Sequence, residues 1–301
     1  MKIAIVGLGD IAQKAYLPIL TQLEIVQLVF CTRNQDTLSR LAKQYRVNSV
    51  YQDYRMLSKQ NIDAVMIHSS TASHAMIAAY FLKQGIATFV DKPLADNAFD
   101  CEKLYELAEK HNVPLYMGFN RRFIPLYNEY LNTQKLLSLR WEKNRFDLPD
   151  MARTFIFDDF IHPLDSVNIH AKNNVENINI MTQFKGKQLA RLDVQWMQNG
   201  TLLHASMNRL YGITNEVISF NYENCSYQFN SFIVGKEWKA NQQKELLLAD
   251  WTPMLASKGF VAMINDWLGV VARGKIASEV VKRNLASHQL VEGICQEIGK
   301  R

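Results

Sequence analysis

Cysteine is scarce in this sequence, and its four cysteines stand far apart. Cys31, Cys101, Cys225 and Cys295 form no C-x-x-C pair in the 301 residues. Disulfide frameworks and zinc sites need cysteines at short, paired spacings, so neither is expected. The H-E-x-x-H of zinc peptidases and the G-x-S-x-G of serine hydrolases are absent as well. The sequence therefore favours neither a metal site nor a nucleophilic hydrolase.

Long apolar runs and long runs of one charge are also missing. No stretch is long enough to cross a membrane, and Met1 leads directly into the apolar run Lys2–Val6 without the leader of a secreted protein. Lys and Arg number 34 against 29 Asp and Glu, which gives a scattered formal net charge of +5. Such a distribution does not suggest nucleic-acid binding. We expect a soluble, cytoplasmic protein whose partners include neither nucleic acid nor membrane.

Short apolar runs alternate with helical patterns over residues 1–120. Helices are predicted at Gln35–Tyr45, at Ala98–His111, near His74–Gln84, and at Ile11–Gln22 with a distortion at Pro18. The predicted strands are Ile3–Val6, Ile25–Cys31, Asp63–His68, Ile86–Val90 and Val113–Met117. Strands that alternate with helices imply crossover connections. The first domain is therefore predicted to be a doubly wound α/β domain with a parallel sheet.

The pattern changes in the second half of the chain. Apolar residues alternate with polar ones at Asn177–Phe184, around Val194 and around Phe220. This alternation is typical of antiparallel strands with one buried face. We predict an α+β domain over residues 121–301 with a largely antiparallel, open sheet, and a loop at Asn144–Arg153. Helical periodicity returns near Trp267, and these C-terminal helices are expected to pack back on the first domain.

A glycine-rich turn follows the first predicted strand. Gly7-Leu8-Gly9-Asp10-Ile11-Ala12 fits G-x-G-x-x-A and opens a predicted helix. Gly7 permits the tight turn, and Gly9 lets a pyrophosphate approach the backbone. Ala12 allows close packing of the helix, whose N-terminus attracts the phosphates. In this strand–turn–helix context the motif predicts a dinucleotide-binding Rossmann domain.

The end of the second strand bears on the choice between NAD and NADP. An acidic residue usually stands there to bind the ribose 2′-hydroxyl of NAD, but this chain has Thr32 and Arg33. Without a carboxylate there is no repulsion of a 2′-phosphate, and an arginine can pair with it. We therefore expect NADP, with NAD possible. The alternative is that Arg33 is a solvated loop residue.

Four further segments carry recognisable motifs. They are Ser69–His74, which looks like a T-P-x-x-x-H segment and shares its histidine, Val90–Leu94 with D-K-P, Gly118–Phe123 with G-x-N-R-R-F, and Asp158–His162 with D-x-x-x-H. Together they resemble the Gfo/Idh/MocA oxidoreductases, which include glucose-fructose oxidoreductase and inositol dehydrogenase. The resemblance covers essentially the whole chain. His68–His74 and Val90–Pro93 look most similar to the bacterial MviM-type members.

The resemblance implies roles for three residues. Lys92 matches the family's catalytic lysine, which would hydrogen-bond the substrate hydroxyl beside the nicotinamide. Asp158 and His162 stand four apart, so on a helix they share one face. A histidine side chain ordinarily titrates near neutral pH, so His162 is the candidate base. Asp158 could orient it, hold the sugar, or both. We expect Lys92 and His162 to face one another across a cleft between the domains. The residues expected to bind the cofactor are Gly7, Gly9, Asp10, Ile11, Thr32, Arg33, Ser69, Ser70, His74, Asp91, Lys92 and Asn120.

Structural explanations stand beside these roles. Lys92 could simply end a strand, Asp158 and His162 could be a pair on a helix surface, and His74 could pack at a helix start. Arg121 could reach the pocket or pair locally. Neighbouring Asp159 and Asp165 are expected to be solvated or structural.

Two positions depart from the family pattern. Asp91 replaces the usual glutamate, which keeps the charge but shortens its reach. Phe160 replaces a small residue, often glycine, and is expected to narrow the substrate pocket.

Two functions follow. The first is NAD(P)-dependent transfer of hydride between a nicotinamide and a sugar, cyclitol or related polyol. The alternative is a non-catalytic protein that binds a dinucleotide as a regulatory or redox-sensing ligand. The resemblance also implies homodimers or homotetramers packed through the open face of the second sheet. Aromatic residues such as Trp196, Phe220 and Tyr222 are compatible with such an interface.

Overall fold

Two sheets organise the protein, one parallel and one largely antiparallel. A computed structural model describes residues 1–300. Its strands are β1 (Lys2–Val6), β2 (Gln27–Cys31), β3 (Val50–Tyr51), β4 (Ala64–Ile67), β5 (Ala87–Asp91), β6 (Leu115–Gly118), β7 (Ser138–Asn144), β8 (Asn179–Lys185), β9 (Gln188–Gln198), β10 (Thr201–Asn208), β11 (Asn215–Tyr222), β12 (Cys225–Asn230), β13 (Val234–Lys239) and β14 (Gln242–Leu247). Its α-helices are α1 (Leu17–Leu20), α2 (Gln35–Tyr45), α3 (Thr71–Lys83), α4 (Ala98–Lys110), α5 (Pro125–Asn128), α6 (Ala152–Thr154), α7 (Ile161–Val167), α8 (Met254–Ser257), α9 (Phe260–Arg273) and α10 (Ser278–Gly299).

The first sheet has the strand order β3-β2-β1-β4-β5-β6, and all of its pairs are parallel. The chain builds outward from β1 on one side and then from β4 on the other. In such a doubly wound sheet, ligands bind beyond the carboxyl ends of the strands, at the point where the order reverses. That point lies between β1 and β4. The prediction of a Rossmann sheet is confirmed.

Local sequence accounts for the helices that flank the glycine turn. Helix α2 has its predicted bounds because the Asn34 side chain accepts from the Thr37 amide N at 2.8 Å, and because Arg46 ends the helix in the left-handed region. Residues 10–20 are continuously helical but include the π-helical turn Ala12–Tyr16. This turn comes just before Pro18, which has no N–H to continue the α-helical ladder. The predicted distortion at Pro18 therefore takes the form of a π-helical turn.

The chain divides into two units, and the first unit is discontinuous. It combines Met1–Phe119 with Phe260–Val281, while Asn120–Gly259 and the chain from Lys282 onward form the second. In the first unit, Trp267 of α9 is fully buried and its ring lies 5.8 Å from Phe89 and 5.6 Å from Tyr116. The Tyr116 hydroxyl also donates to Asp266 at 2.8 Å. Helix α9 thus supplies part of the core of the parallel sheet.

The second sheet has the order β14-β13-β12-β11-β7-β10-β9-β8. Its pairs are antiparallel except β7 with β10, so the predicted largely antiparallel sheet is confirmed. Helix α7 packs against β7 and β10 on one face. The predicted loop Asn144–Arg153 is shortened at both ends, because β7 includes Asn144 and α6 begins at Ala152.

The aromatic residues expected on the open face of this sheet lie on the other face. Trp196 and Phe220 are each only 2% exposed. Both pair in register with core residues, since Trp196 stands opposite Leu203 and Phe220 opposite Leu139. Tyr222 is half-buried, and its hydroxyl donates to the Tyr130 carbonyl. The interface prediction based on these rings was therefore wrong. The open face carries polar side chains, among them Arg140, Glu142, Arg191, Asp193 and His204, beside the exposed apolar side chains Met181, Met197 and Leu202.

Within residues 1–300, no helix combines the length and the apolar character needed to span a membrane.

Candidate functional site

A cavity of about 490 Å³ lies at the carboxyl ends of β1, β2 and β4. It sits at the reversal of strand order, where a doubly wound sheet binds nucleotides. Six of the residues predicted to bind the cofactor line it, namely Gly7, Gly9, Thr32, Arg33, Ser69 and Ser70. The fold therefore brings together segments that are separated by up to about sixty residues in the sequence.

The two glycines of the turn have different roles. Gly7 has φ +92°, and a Cβ built there would lie 2.6 Å from the backbone N of Ser69. The fold itself therefore requires glycine at this position. A Cβ on Gly9 would meet nothing within 4 Å. Gly9 thus leaves open space above the backbone, which fits the close approach of a pyrophosphate.

The start of the following helix also fits an anionic ligand. Asp10 and Ile11 are exposed, and Asp10 pairs with Lys14 at 2.8 Å along the helix surface. Gly9, which precedes the first helical residue, has no side chain to cap this turn. An anion held there can accept from the N–H groups of that turn and benefits from the helix dipole.

Sequence reasoning missed several residues that line the same cavity, among them Gln52 and Tyr54. They follow β3, which pairs with β2, so they come to lie beside the Thr32–Arg33 segment. The Gln52 side-chain amide donates to the Arg33 carbonyl at 3.1 Å. Strand β3 has only two residues, too few to show a periodicity. Among residues 1–300, the side chains that line the cavity include no carboxylate.

Asp91 is buried in a cluster at the end of β5. Its carboxylate accepts from the Tyr16 hydroxyl at 3.2 Å and from the Lys92 amide N at 2.9 Å. The His68 ring stacks on Tyr16 with 3.9 Å between centroids, and its Nδ1 lies 3.8 Å from Asp91. Burial opposes ionisation of Asp91, but His68 and Lys92 lower the pKa of this carboxyl below its usual value. Hydrogen bonds from Tyr16 and from the Lys92 amide thus hold the Asp91 carboxylate beside Lys92, although aspartate is shorter than the glutamate usual in the family.

His68 and Tyr16 keep their neutral forms in this cluster. Burial lowers the pKa of His68 below its usual value and outweighs the nearby carboxylate. Burial and Asp91 together raise the pKa of Tyr16 well above its usual value. The Tyr16 hydroxyl therefore stays a donor to Asp91 at neutral pH.

His74 connects the segment after β4 to the segment that carries Lys92. Its ring is buried, with Nδ1 2.8 Å from the Pro93 carbonyl and Nε2 2.9 Å from the Ser69 carbonyl. Both ring nitrogens are thus engaged by backbone groups. His74 therefore joins the Ser69 and Pro93 segments, which fits the packing alternative, and its contact with the cofactor stays a prediction.

In the second unit, the D-x-x-x-H segment lies on one continuous helical path. Asp158 is half-buried in the π-helical segment Phe155–Phe160, and His162 is buried in α7. Asn120, at the start of this unit, donates its side-chain amide to the Lys258 carbonyl at 2.8 Å. Phe160 is fully buried. A ring without exposed surface belongs to the core, so the expectation that it narrows an open pocket gains no support.

Two further aspartates, one inside this segment and one after it, are structural. Asp165 is fully buried, accepts two hydrogen bonds from Arg122 at 2.6 and 2.9 Å, and accepts a third from Ser287. Asp159 is buried as well and binds three cations. The solvated alternative for these residues was wrong. Over residues 1–300, no group of three or more His, Cys, Asp or Glu side chains could hold a metal ion.

Comparison with known proteins gives the class to which this architecture belongs. Residues 1–119 match the family described as "Oxidoreductase family, NAD-binding Rossmann fold". The crystal structure of a Gfo/Idh/MocA family oxidoreductase from Vibrio cholerae is 56% identical in sequence, has a TM-score of 0.97, and aligns over 100% of this chain and 98% of its own. The chain belongs to the Gfo/Idh/MocA family of oxidoreductases, as its motifs predicted.

Two further relatives refine the comparison. The structure of the dehydrogenase MviM from Clostridium difficile has a TM-score of 0.91 and 26% identity, with 99% of each chain covered. Myo-inositol 2-dehydrogenase from Thermotoga maritima is 29% identical over 170 residues, which are 56% of this chain and 49% of that enzyme. The resemblance to MviM-type members is therefore confirmed.

Proposed function

We propose that this protein is an NAD(P)-dependent enzyme that transfers hydride between a nicotinamide and a CH–OH group of a sugar, cyclitol or related polyol. The observation that supports this most is the cavity at the switch point, with open space above Gly9 and no carboxylate among its described lining residues. The similarity to a myo-inositol 2-dehydrogenase favours a polyhydroxylated substrate.

The chain's own residues would supply positioning and proton transfer. When bound, the nicotinamide accepts or returns the hydride. We propose that the Lys92 ammonium donates a hydrogen bond to the substrate oxygen, with its backbone held by Asp91. His162 would take the hydroxyl proton during oxidation and return it during reduction, and Asp158 would orient it. That Lys92 and His162 act on one substrate stays a prediction.

A screen for cofactor reduction against a panel of sugars, cyclitols and polyols tests this function. We expect at least one polyol to give turnover that depends on the dinucleotide. A protein that binds the dinucleotide tightly and oxidises no member of the panel would instead support the non-catalytic, regulatory alternative.

We propose NADP as the preferred cofactor. Thr32 and Arg33 line the cavity where NAD-specific sites present an acid, and the exposed Arg33 side chain can pair with a 2′-phosphate. NADPH should therefore bind more tightly than NADH. Arg33→Ala should weaken NADPH roughly tenfold to a hundredfold, as expected for one charge-assisted hydrogen bond, and leave NADH unchanged. Dissociation constants from fluorescence titration measure both effects.

Lys43→Ala, which removes an exposed cation from α2, is the matched control. It should leave the ratio of the two constants as it is in the wild type. Tighter binding of NADH than of NADPH by the wild type would refute the proposed preference.

We also propose a cytoplasmic homodimer or homotetramer. Cys31 and Cys101 are buried free thiols, which suits a reducing compartment. The assembly would use the open face of the second sheet, which the family resemblance implies. On this face Arg140, Glu142 and His204 would contribute hydrogen bonds and ion pairs, and the exposed Met181, Met197 and Leu202 would contribute apolar contacts. Light scattering at increasing salt would measure the assembly and its electrostatic part.

A further inference from the structure

A buried network of charges connects the second sheet to the D-x-x-x-H segment. Asp159 binds Lys143, Arg145 and Arg209, with Arg145 Nε at 3.2 Å and Arg209 Nη2 at 3.1 Å from its Oδ2. Glu216 accepts from the Trp141 indole at 2.9 Å and from Arg121 Nε at 2.8 Å. We name the four basic residues of this network the cationic cluster: Arg121, Lys143, Arg145 and Arg209.

The two halves of the network meet on the covered face of the sheet. Lys143 of β7 and Glu216 of β11 stand directly opposite one another in the antiparallel register. Both side chains are buried, so solvent does little to screen their charges. The six charged groups therefore form one electrostatic unit.

Positive charge is in excess within this unit. Four basic side chains face three carboxylates, because the partly exposed Asp150 also pairs with Arg209, at 3.7 Å. Within residues 1–300, the buried Arg209 Nε has no hydrogen-bond partner. Burial lowers the pKa of Lys143 to about 7, with Arg121 and Arg145 adding to the fall and Asp159 and Glu216 opposing it. Excess buried charge is costly unless an anion compensates it.

The cationic cluster also adjoins the residues assigned to the substrate. Asp159, which holds three of its members, directly follows Asp158 and precedes His162 by three positions. Arg121 belongs to the G-x-N-R-R-F motif. The Arg145 side chain is 31% exposed, so an anion arriving from solvent can reach the cluster.

We infer that the cationic cluster binds an anionic group of the substrate, which is then a sugar or polyol carrying a carboxylate or a phosphate. This inference rests on the proposed function. A neutral polyol would leave the excess charge uncompensated. A carboxylate or phosphate would accept charge-assisted hydrogen bonds from Arg145 and neutralise the cluster.

Calorimetric titration of the protein saturated with NADP tests the inference. The probes are matched sets: glucose, glucuronate and glucose 6-phosphate, and myo-inositol with its 1-phosphate. We expect at least one charged probe to bind more than tenfold more tightly than its neutral counterpart. The affinity for that charged probe should fall as the salt concentration rises. The carboxylate and phosphate arms show which anion is preferred. Binding should also take up protons near neutral pH, because a bound anion raises the pKa of Lys143, which burial lowers.

Arg145→Gln should weaken the charged probe roughly tenfold or more and leave the affinity for NADPH unchanged. Arg140→Gln is the matched control, because Arg140 lies on the same strand but on the open face, paired with Glu142 at 3.0 Å.

Equal affinity of both variants for the charged probe would overturn the inference. Equal or tighter binding of neutral probes, or no binding of any charged probe by a protein that binds NADPH, would overturn it too. Tight dinucleotide binding in those cases leaves the proposed function standing, whereas failure to bind any dinucleotide would refute that function instead.

Discussion

Replacing Lys92 or His162 with alanine is expected to lower turnover by a factor on the order of 10²–10⁴, the range typical of a lost general acid or base. Lys92 follows Asp91, whose carboxylate accepts from the Lys92 amide N and fixes the backbone there. His162 is buried in α7, in the family's D-x-x-x-H position. Affinity for the dinucleotide should change little, because neither side chain lines the described cavity. Steady-state kinetics with a substrate from the screen measures the loss.

Adjacent exposed residues provide matched controls for these two substitutions. Lys110→Ala and His111→Ala remove the same side-chain types at the end of α4 and should leave turnover unchanged. Because His162 is buried, His162→Gln provides a second variant that keeps a polar side chain if the alanine variant unfolds. Full activity in a folded His162 variant would leave Lys92 as the proton-transfer residue and refute the shared role.

Gly9→Val is expected to abolish dinucleotide binding without unfolding the protein. The Cβ of a residue at position 9 meets nothing within 4 Å, and Gly9 does not lie in the left-handed region. The valine therefore costs the fold little but fills the space that a pyrophosphate needs. A loss of at least roughly a hundredfold in affinity follows if even two hydrogen bonds to the phosphates are lost. Calorimetry measures the affinity, and thermal denaturation measures the fold.

Gly212→Val is the matched control, since a Cβ at this exposed loop glycine also meets nothing within 4 Å. It should bind the dinucleotide as the wild type does. An unchanged affinity in folded Gly9→Val would show that the ligand does not pass over this turn. Gly7→Val is not a useful substitute, because its Cβ would collide with the backbone of Ser69 and unfold the turn.

Sequence periodicity was sufficient for most of the parallel sheet. Buried parallel strands are apolar on both faces, so runs such as Ile3–Val6 stand out from the helices that follow them. The amphipathic pattern placed helix α2 at Gln35–Tyr45, and the structure shows that the Asn34 side chain caps its start. The glycine turn and the Thr32–Arg33 segment could be placed together because carboxyl ends of parallel strands meet at one edge.

The second sheet was harder to predict, and Lys143 illustrates the reason. It occupies a core position in β7, in register with Met207 and Glu216, and so interrupts the apolar pattern of that strand. Its place there depends on Asp159, sixteen residues away, whose proximity only the tertiary fold creates. Alternation also shows which residues share a face without showing which face is covered. For that reason Trp196 was assigned to the wrong surface.

The order in which the chain is synthesised matters for the parallel sheet. Strands β1 to β6 are complete at residue 118, but α9, whose Trp267 covers Phe89 and Tyr116, begins only at Phe260. At roughly 5–20 residues per second, a ribosome needs on the order of ten to thirty seconds to produce the intervening chain. During that time the nascent sheet exposes an apolar patch that α9 later buries. We expect the unfinished chain to be prone to aggregation during this period, because that apolar patch is uncovered.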